Sequence, residues 1–197
     1  MSDLEFGTIF AIDMIIKKNS AMIVIHMDTM EDTARLRRAY EGLDNVTLLY
    51  NPSRRRVERE LRNNSDNVVM LLGHGSPYGL FSCGWHGYII DSHNAHLLRD
   101  RLVIGIWCYA SDFADRCGLH GYFTSMFISN LGEAISLGFP NNDESDIFSE
   151  IDYFCDQIHD FIANNTEMST WVNILQEGCH REKDFVRFNY EAMAFYD

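Results

Sequence analysis

Two residues of this 197-residue chain have the type and setting for covalent chemistry: His74 and Cys108. Each closes an apolar run, VVMLL before Gly73-His74-Gly75 and LVIGIW before Cys108. A cysteine nucleophile needs partial exposure and a proton acceptor that generates its thiolate. The open end of a buried strand supplies the exposure. An imidazole on a neighbouring strand end supplies the base. The 34 residues from His74 to Cys108 hold a hairpin and a helical crossover between adjacent parallel strands. Gly75 lets the backbone approach a substrate closely, and its amide and that of Cys108 are the natural donors to a developing oxyanion.

The elements that must carry this pair read as alternating strands and helices. Ala21–Met27 is a near-continuous apolar run, as expected of a strand covered on both faces, with 6–13 as an edge strand or hairpin partner. Asp28–Glu31 lead into a helix over about 32–41. Val46–Tyr50 is a second strand, and Asn51-Pro52-Ser53 opens a helix through about Arg62. The arginines of that helix, interleaved with Glu58 and Glu60, read as a solvated face, with a basic docking patch as the alternative. Asn67–Leu72 leads into His74. Residues 79–91 form a hairpin turning at Gly84, and Ser92–Arg99 a short helix with Ser92 as N-cap. Leu102–Trp107 leads into Cys108. A helix over Ser111–Cys117 stops at Gly118, a strand covers His120–Ile128, and a helix Asn130–Leu137 ends at Gly138.

These alternations predict an α/β three-layer sandwich with a mostly parallel sheet. Sites in such sheets lie beyond the carboxyl ends of the strands, where His74 and Cys108 stand. After Pro140 the pattern turns helical. Ile147, Ile151, Phe154, Cys155, Ile158 and Ile162 recur at helical spacing, with Glu150, Asp152, Asp156 and Asp160 on the wet side. Further helices are expected over about 167–177 and 184–196. The chain therefore divides into a core, 1–140, and a helical extension packed on it, 141–197, within one domain.

The two strand ends resemble the caspase-fold (clan CD) cysteine peptidases: caspases, legumain, clostripain, gingipains and separase. The shared pattern is an apolar strand ending in His-Gly and a second ending in Cys, here VVMLLGHG and LVIGIWC. The hairpin and helix of GLFSCGWHGYIIDSHNAHLL between them fit as well. The resemblance implies a Cys–His dyad, with Cys108 as nucleophile and His74 as proton shuttle, and an oxyanion hole from the Gly75 and Cys108 amides. It implies a peptidase acting by acyl transfer on a protein or peptide, without cofactor. Trp107 stands where the family has a small residue, and no QACxG occurs, so a compact bacterial-type clostripain- or gingipain-like member fits better than a caspase proper. Trp107 also leaves open a member that keeps the fold as an inactive interaction module. Trp107, Asp112 and Ser76 are candidates for the substrate pocket. Asp112 is compatible with cleavage after basic residues, the preference of clostripain- and gingipain-like enzymes.

Composition bounds the rest. The chain is 46% hydrophobic, enough for a core, and carries a formal net charge of −13, which argues against nucleic acid as a partner. No lysine or arginine occurs between Cys117 and His180, where ten acids stand. That acidic stretch is either a solvated face or a surface for a partner protein. No secretory signal and no apolar run of membrane-spanning length are seen, so a cytoplasmic protein is expected. The five cysteines, with no CxxC, read as free thiols. Cys83 with His86, His93 and His96 lacks recognised ligand spacing, and no metal is expected. A flavodoxin-like small-molecule or signalling domain is a third reading, without acidic strand ends to support a receiver-type version.

Overall fold

The computed structural model describes residues 20–64, 68–178 and 183–197. The strand expected at 6–13 and Cys179 lie outside them. A six-stranded sheet runs β2-β1-β3-β7-β8-β9 and is parallel except for the last pair. Its strands are β1 (Met22–His26), β2 (Val46–Tyr50), β3 (Val68–Leu72), β7 (Leu102–Ile106), β8 (His120–Phe123) and β9 (Ala194–Tyr196). A second, antiparallel sheet joins β4 (Gly75–Ser76), β5 (Gly79–Phe81) and β6 (Tyr88–Asp91). β1, β3 and β7 are buried at every position, as parallel strands covered on both faces must be.

Side-chain alternation divides the core in two. Val24, Met70, Ile104 and Ile106 meet Leu36, Ile151, Phe154 and Ile158 on one face. Ile25, Leu71, Val103 and Trp107 meet Val57, Leu61, Phe113 and Leu80 on the other. The first face is covered by α1 (Glu31–Arg35), its 3₁₀ continuation Leu36–Ala39 and the long α5 (Glu144–Ala163). The second is covered by α2 (Arg54–Asn63) and α3 (Ala110–Cys117). The molecule is thus α/β with helices on both faces of a mostly parallel sheet. α4 (Leu131–Ser136), α6 (Trp171–Gly178) and α7 (Asp184–Glu191) complete the first layer.

Three expectations are corrected. Residues 184–196 are not one helix: α7 ends and β9 pairs antiparallel with β8, Phe195 opposite Tyr122. The C-terminal third therefore contributes a strand to the sheet and is not a purely helical extension. Glu150 is 5% exposed and buried rather than wet. The buried Tyr190 phenol is raised by burial and then by the charge of Glu150. The expected helix after β6 is only a 3₁₀ turn, Ala95–Leu97, and Asn94 rather than Ser92 bonds the preceding turn, accepting from the Asp91 amide at 2.9 Å.

The acidic stretch is partly paired within the chain. Asp152 accepts from Arg35 at 3.0 Å and Asp156 from Arg38 at 2.9 Å, while Asp146 pairs with Lys183. On α2, Arg54 is not simply solvated: its guanidinium grips Asp91 at 2.6 and 2.8 Å and ties the helix to the small sheet. No helix among the described residues is long and apolar enough to cross a membrane.

Candidate active site

The sheet order places a crevice where the chain changes direction. From β1 the chain crosses through α1 on one face to β2, then returns through α2 on the other face to β3. The loops leaving β1 and β3 therefore part on opposite sides, the position where open α/β sheets hold their sites. His74 leaves β3 there, and β7 is its neighbour.

The register aligns the pair. Leu72 of β3 lies opposite Ile106 of β7, and the Gly73 amide donates to the Ile106 carbonyl at 3.2 Å. His74 and Cys108 are each two residues beyond that matched pair. Adjacent strands run about 4.8 Å apart, so the two residues leave the sheet side by side. By alternation both follow the face of Leu72 and Ile106, toward α5. The Cys108 thiol accordingly donates to the carbonyl of Phe127, a member of that core.

Trp107, between them in sequence, goes to the opposite face. It is 2% exposed and packs edge-on against Phe113. Its indole Nε1 donates to the Ser76 carbonyl at 3.3 Å. A Cβ on Gly75 would stand 2.0 Å from Trp107 Cδ1 and 2.7 Å from the Gly79 carbonyl oxygen, so this position requires glycine. Trp107 is therefore a buried support for the hairpin after His74 and lines no substrate cleft. Ser76 is likewise structural: its Oγ lies 2.9 Å from the Tyr88 hydroxyl and accepts from the Tyr78 amide. Asp112 is exposed on α3, where its charge acts on Tyr196, and it does not line the cavity at His74.

That cavity, of about 400 Å³, is lined by Met30, Asp32, His74, Glu133, Glu144 and Phe148 among others. His74 Nε2 lies 3.4 Å from Asp32 Oδ2, with side chains 11% and 3% exposed. Asp32 is held from three sides. Its Oδ1 accepts from the Thr33 amide at 2.8 Å, and its Oδ2 from the Ser129 hydroxyl at 2.7 Å and Asn130 Nδ2 at 3.4 Å. Glu133 accepts from the Ser129 amide at 2.8 Å. Buried His26 braces the same loop, with Nε2 2.8 Å from the Thr33 carbonyl and Nδ1 2.9 Å from the Tyr40 hydroxyl.

The electrostatics follow from this arrangement. Burial pushes the Asp32 carboxyl up, but His74, Ser129 and the Thr33 amide outweigh it and hold it at about 2. Burial pushes the His74 imidazole down, and the bond and charge of Asp32, with Glu133, outweigh that and raise it. The Cys108 thiol is pushed up to about 12, first by burial and then by the charges of Glu133 and Asp32. The imidazole and two carboxylates thus line one cavity, and the charges of those carboxylates reach the thiol at the neighbouring strand end. Asp32, absent from the expected site, stands against the imidazole Nε2 and orients the ring.

Immediately after Cys108, Tyr109 adopts a left-handed conformation (φ 66°, ψ 30°) and α3 begins. A non-glycine residue there costs on the order of 1–2 kcal/mol. The turn is kept by Thr124, whose Oγ1 donates to the Trp107 carbonyl at 2.8 Å and accepts from the Trp107 amide at 3.1 Å. The Tyr109 amide donates to Ser125. No group of three or more histidines, cysteines or acids suited to a metal ion occurs among the described residues. Comparison with known proteins finds no family model and no curated protein that matches this chain.

Proposed function

We propose that this chain is a cysteine peptidase of caspase-like architecture, with Cys108 as nucleophile, His74 as its acid–base partner and Asp32 as the residue that orients His74. One observation carries the reading: a histidine and a cysteine each two residues beyond a matched pair at the carboxyl ends of adjacent parallel strands, with a cavity at the histidine. In the reaction, the Cys108 sulfur attacks the scissile carbonyl and its proton passes to His74. The Gly75 and Cys108 amides receive the oxyanion. His74 then gives the proton to the leaving amine, and water hydrolyses the thioester with His74 as base. The cavity walls suit a basic side chain: Asp32, Glu133 and Glu144 supply negative charge, and Phe148 and Met30 cover an aliphatic stem. This charge comes from the first face of the sheet, not from Asp112.

A second reading is an interaction module that keeps the fold without turnover. The raised Cys108 thiol favours it, because a thiol held near 12 is un-ionised at neutral pH. Affinity labelling separates the two. A peptidyl acyloxymethyl ketone ending in arginine is expected to label Cys108 much faster than the exposed Cys83, and Cys108→Ala is expected to abolish cleavage of an arginine-containing peptide library. Equal labelling of the two thiols, or cleavage that survives Cys108→Ala, would sink the peptidase.

A further inference from the structure

On the opposite side of the His74 hairpin lies a second cavity, of about 440 Å³, between the small sheet and the end of α3. Tyr78 and Tyr88 form its aromatic walls, Arg116 its cationic one, and His93 lines it as well. Asp91 is the acid on its wall, and that carboxylate is already spent. It accepts two bonds from Arg54, at 2.6 and 2.8 Å, and one from the His93 amide at 2.9 Å. Arg54 holds it at about 2, so it stays ionised and paired.

Arg116 stands differently from several arginines of this acidic chain. Arg35, Arg38, Arg54 and Arg187 each meet a carboxylate. Arg116 has no carboxylate partner among the described residues. Its guanidinium donates to the Pro77 carbonyl and lies over the Tyr78 ring, 4.8 Å from the centroid. The guanidinium is thus positioned by one backbone oxygen and one ring, with further donors in its fork. Tyr78 is 63% exposed beside it. An arginine stacked on one tyrosine, with a second tyrosine across a cavity, provides bidentate donors for an oxyanion and flat surfaces for a ring.

We infer that this cavity binds a small aromatic oxyanion, a phosphate or carboxylate carried on a ring, with Arg116 on the anion and Tyr78 and Tyr88 against the ring. The site is separate from the His74 cavity and does not depend on peptidase activity. The test uses the full chain with Cys108→Ala, so that failure here and failure of the peptidase reading are distinguishable. Phenyl phosphate, benzoate, inorganic phosphate and phenol are titrated in turn, followed by calorimetry and by the His93 ring resonances. Saturable binding of phenyl phosphate or benzoate, tighter than inorganic phosphate or phenol, is expected, and the tighter of the two identifies the anion. Arg116→Gln is expected to weaken that binding about tenfold or more, as loss of a charge-assisted bond does. Tyr78→Leu, at an exposed position, is expected to weaken the ring-bearing probes more than inorganic phosphate. Asp112→Asn, one helical turn from Arg116 and outside the cavity, is expected to leave binding unchanged. Absence of saturable binding by both ring-bearing probes, or binding indifferent to Arg116→Gln and Tyr78→Leu, overturns the inference.

Discussion

Asp32 and His74 depend on each other through charge, and that gives their pair a defined pH window. Asp32 has a depressed folded pKa, so its contribution is present above the ordinary carboxyl value of 3.8 and is lost as pH falls toward about 2. His74 has a raised folded pKa, so its contribution is full below the ordinary imidazole value of 6.5 and is lost as pH rises through the raised value. Asp32→Asn is therefore expected to cost about 2 kcal/mol near pH 5, and less at pH 9. Urea unfolding of both proteins at the two pH values measures this; an equal loss at both would rule out the charge pairing. If His74 is the base of the proposed peptidase, its base form appears only above its raised pKa, so the acidic limb of kcat/KM is expected above 6.5 in the native chain and lower in Asp32→Asn. Gly75→Ala places a methyl within 2.0 Å of Trp107. It is expected to destabilise by about 1–3 kcal/mol and to displace the hairpin that follows His74, read as slower labelling of Cys108.

Among elements, the strands that present His74 and Cys108 were legible because burial on both faces writes itself as continuous apolar runs. VVMLL and LVIGI became β3 and β7 with the reactive residues at their carboxyl ends. Asp32 was not legible. It lies in an acid-rich stretch, Asp28 to Asp32, whose members differ only in where α1 begins. Its role comes from the reversal of strand order between β1 and β3, which the local pattern does not encode. Glu150 was misread for a related reason: a carboxylate on an amphipathic helix reads as wet, and the buried Tyr190 on which its charge acts is 40 residues away. β9 was missed because Ala194–Tyr196 is three residues long, too short to interrupt a helical expectation. Asp112 drew notice by standing near Cys108 in sequence, but α3 begins there and carries it to the other face.

At the scale of the whole molecule, α5 and β9 make the C-terminal third part of the core. Phe154 of α5 is fully buried and meets Phe127 and Tyr190, ring centroids 5.0 and 6.2 Å apart. Phe127 also supplies the carbonyl that receives the Cys108 thiol. Phe154→Ala is expected to cost about 3–5 kcal/mol in a single cooperative transition. An early, separate unfolding of residues 141–197 in hydrogen exchange would show instead that this third is an independent extension.

The tryptophan that precedes Cys108 also gives the molecule an optical gauge. Trp107 is one of three tryptophans in the chain. Its ring is sealed against Gly75, and its N–H is spent on Ser76. Indole emission depends on that hydrogen bond and on exclusion of water. Any event that lifts the hairpin behind His74 will therefore alter the emission of a fluorophore one residue from Cys108. In Trp85→Phe/Trp171→Phe, the remaining emission would follow loop movement in real time, without label or substrate.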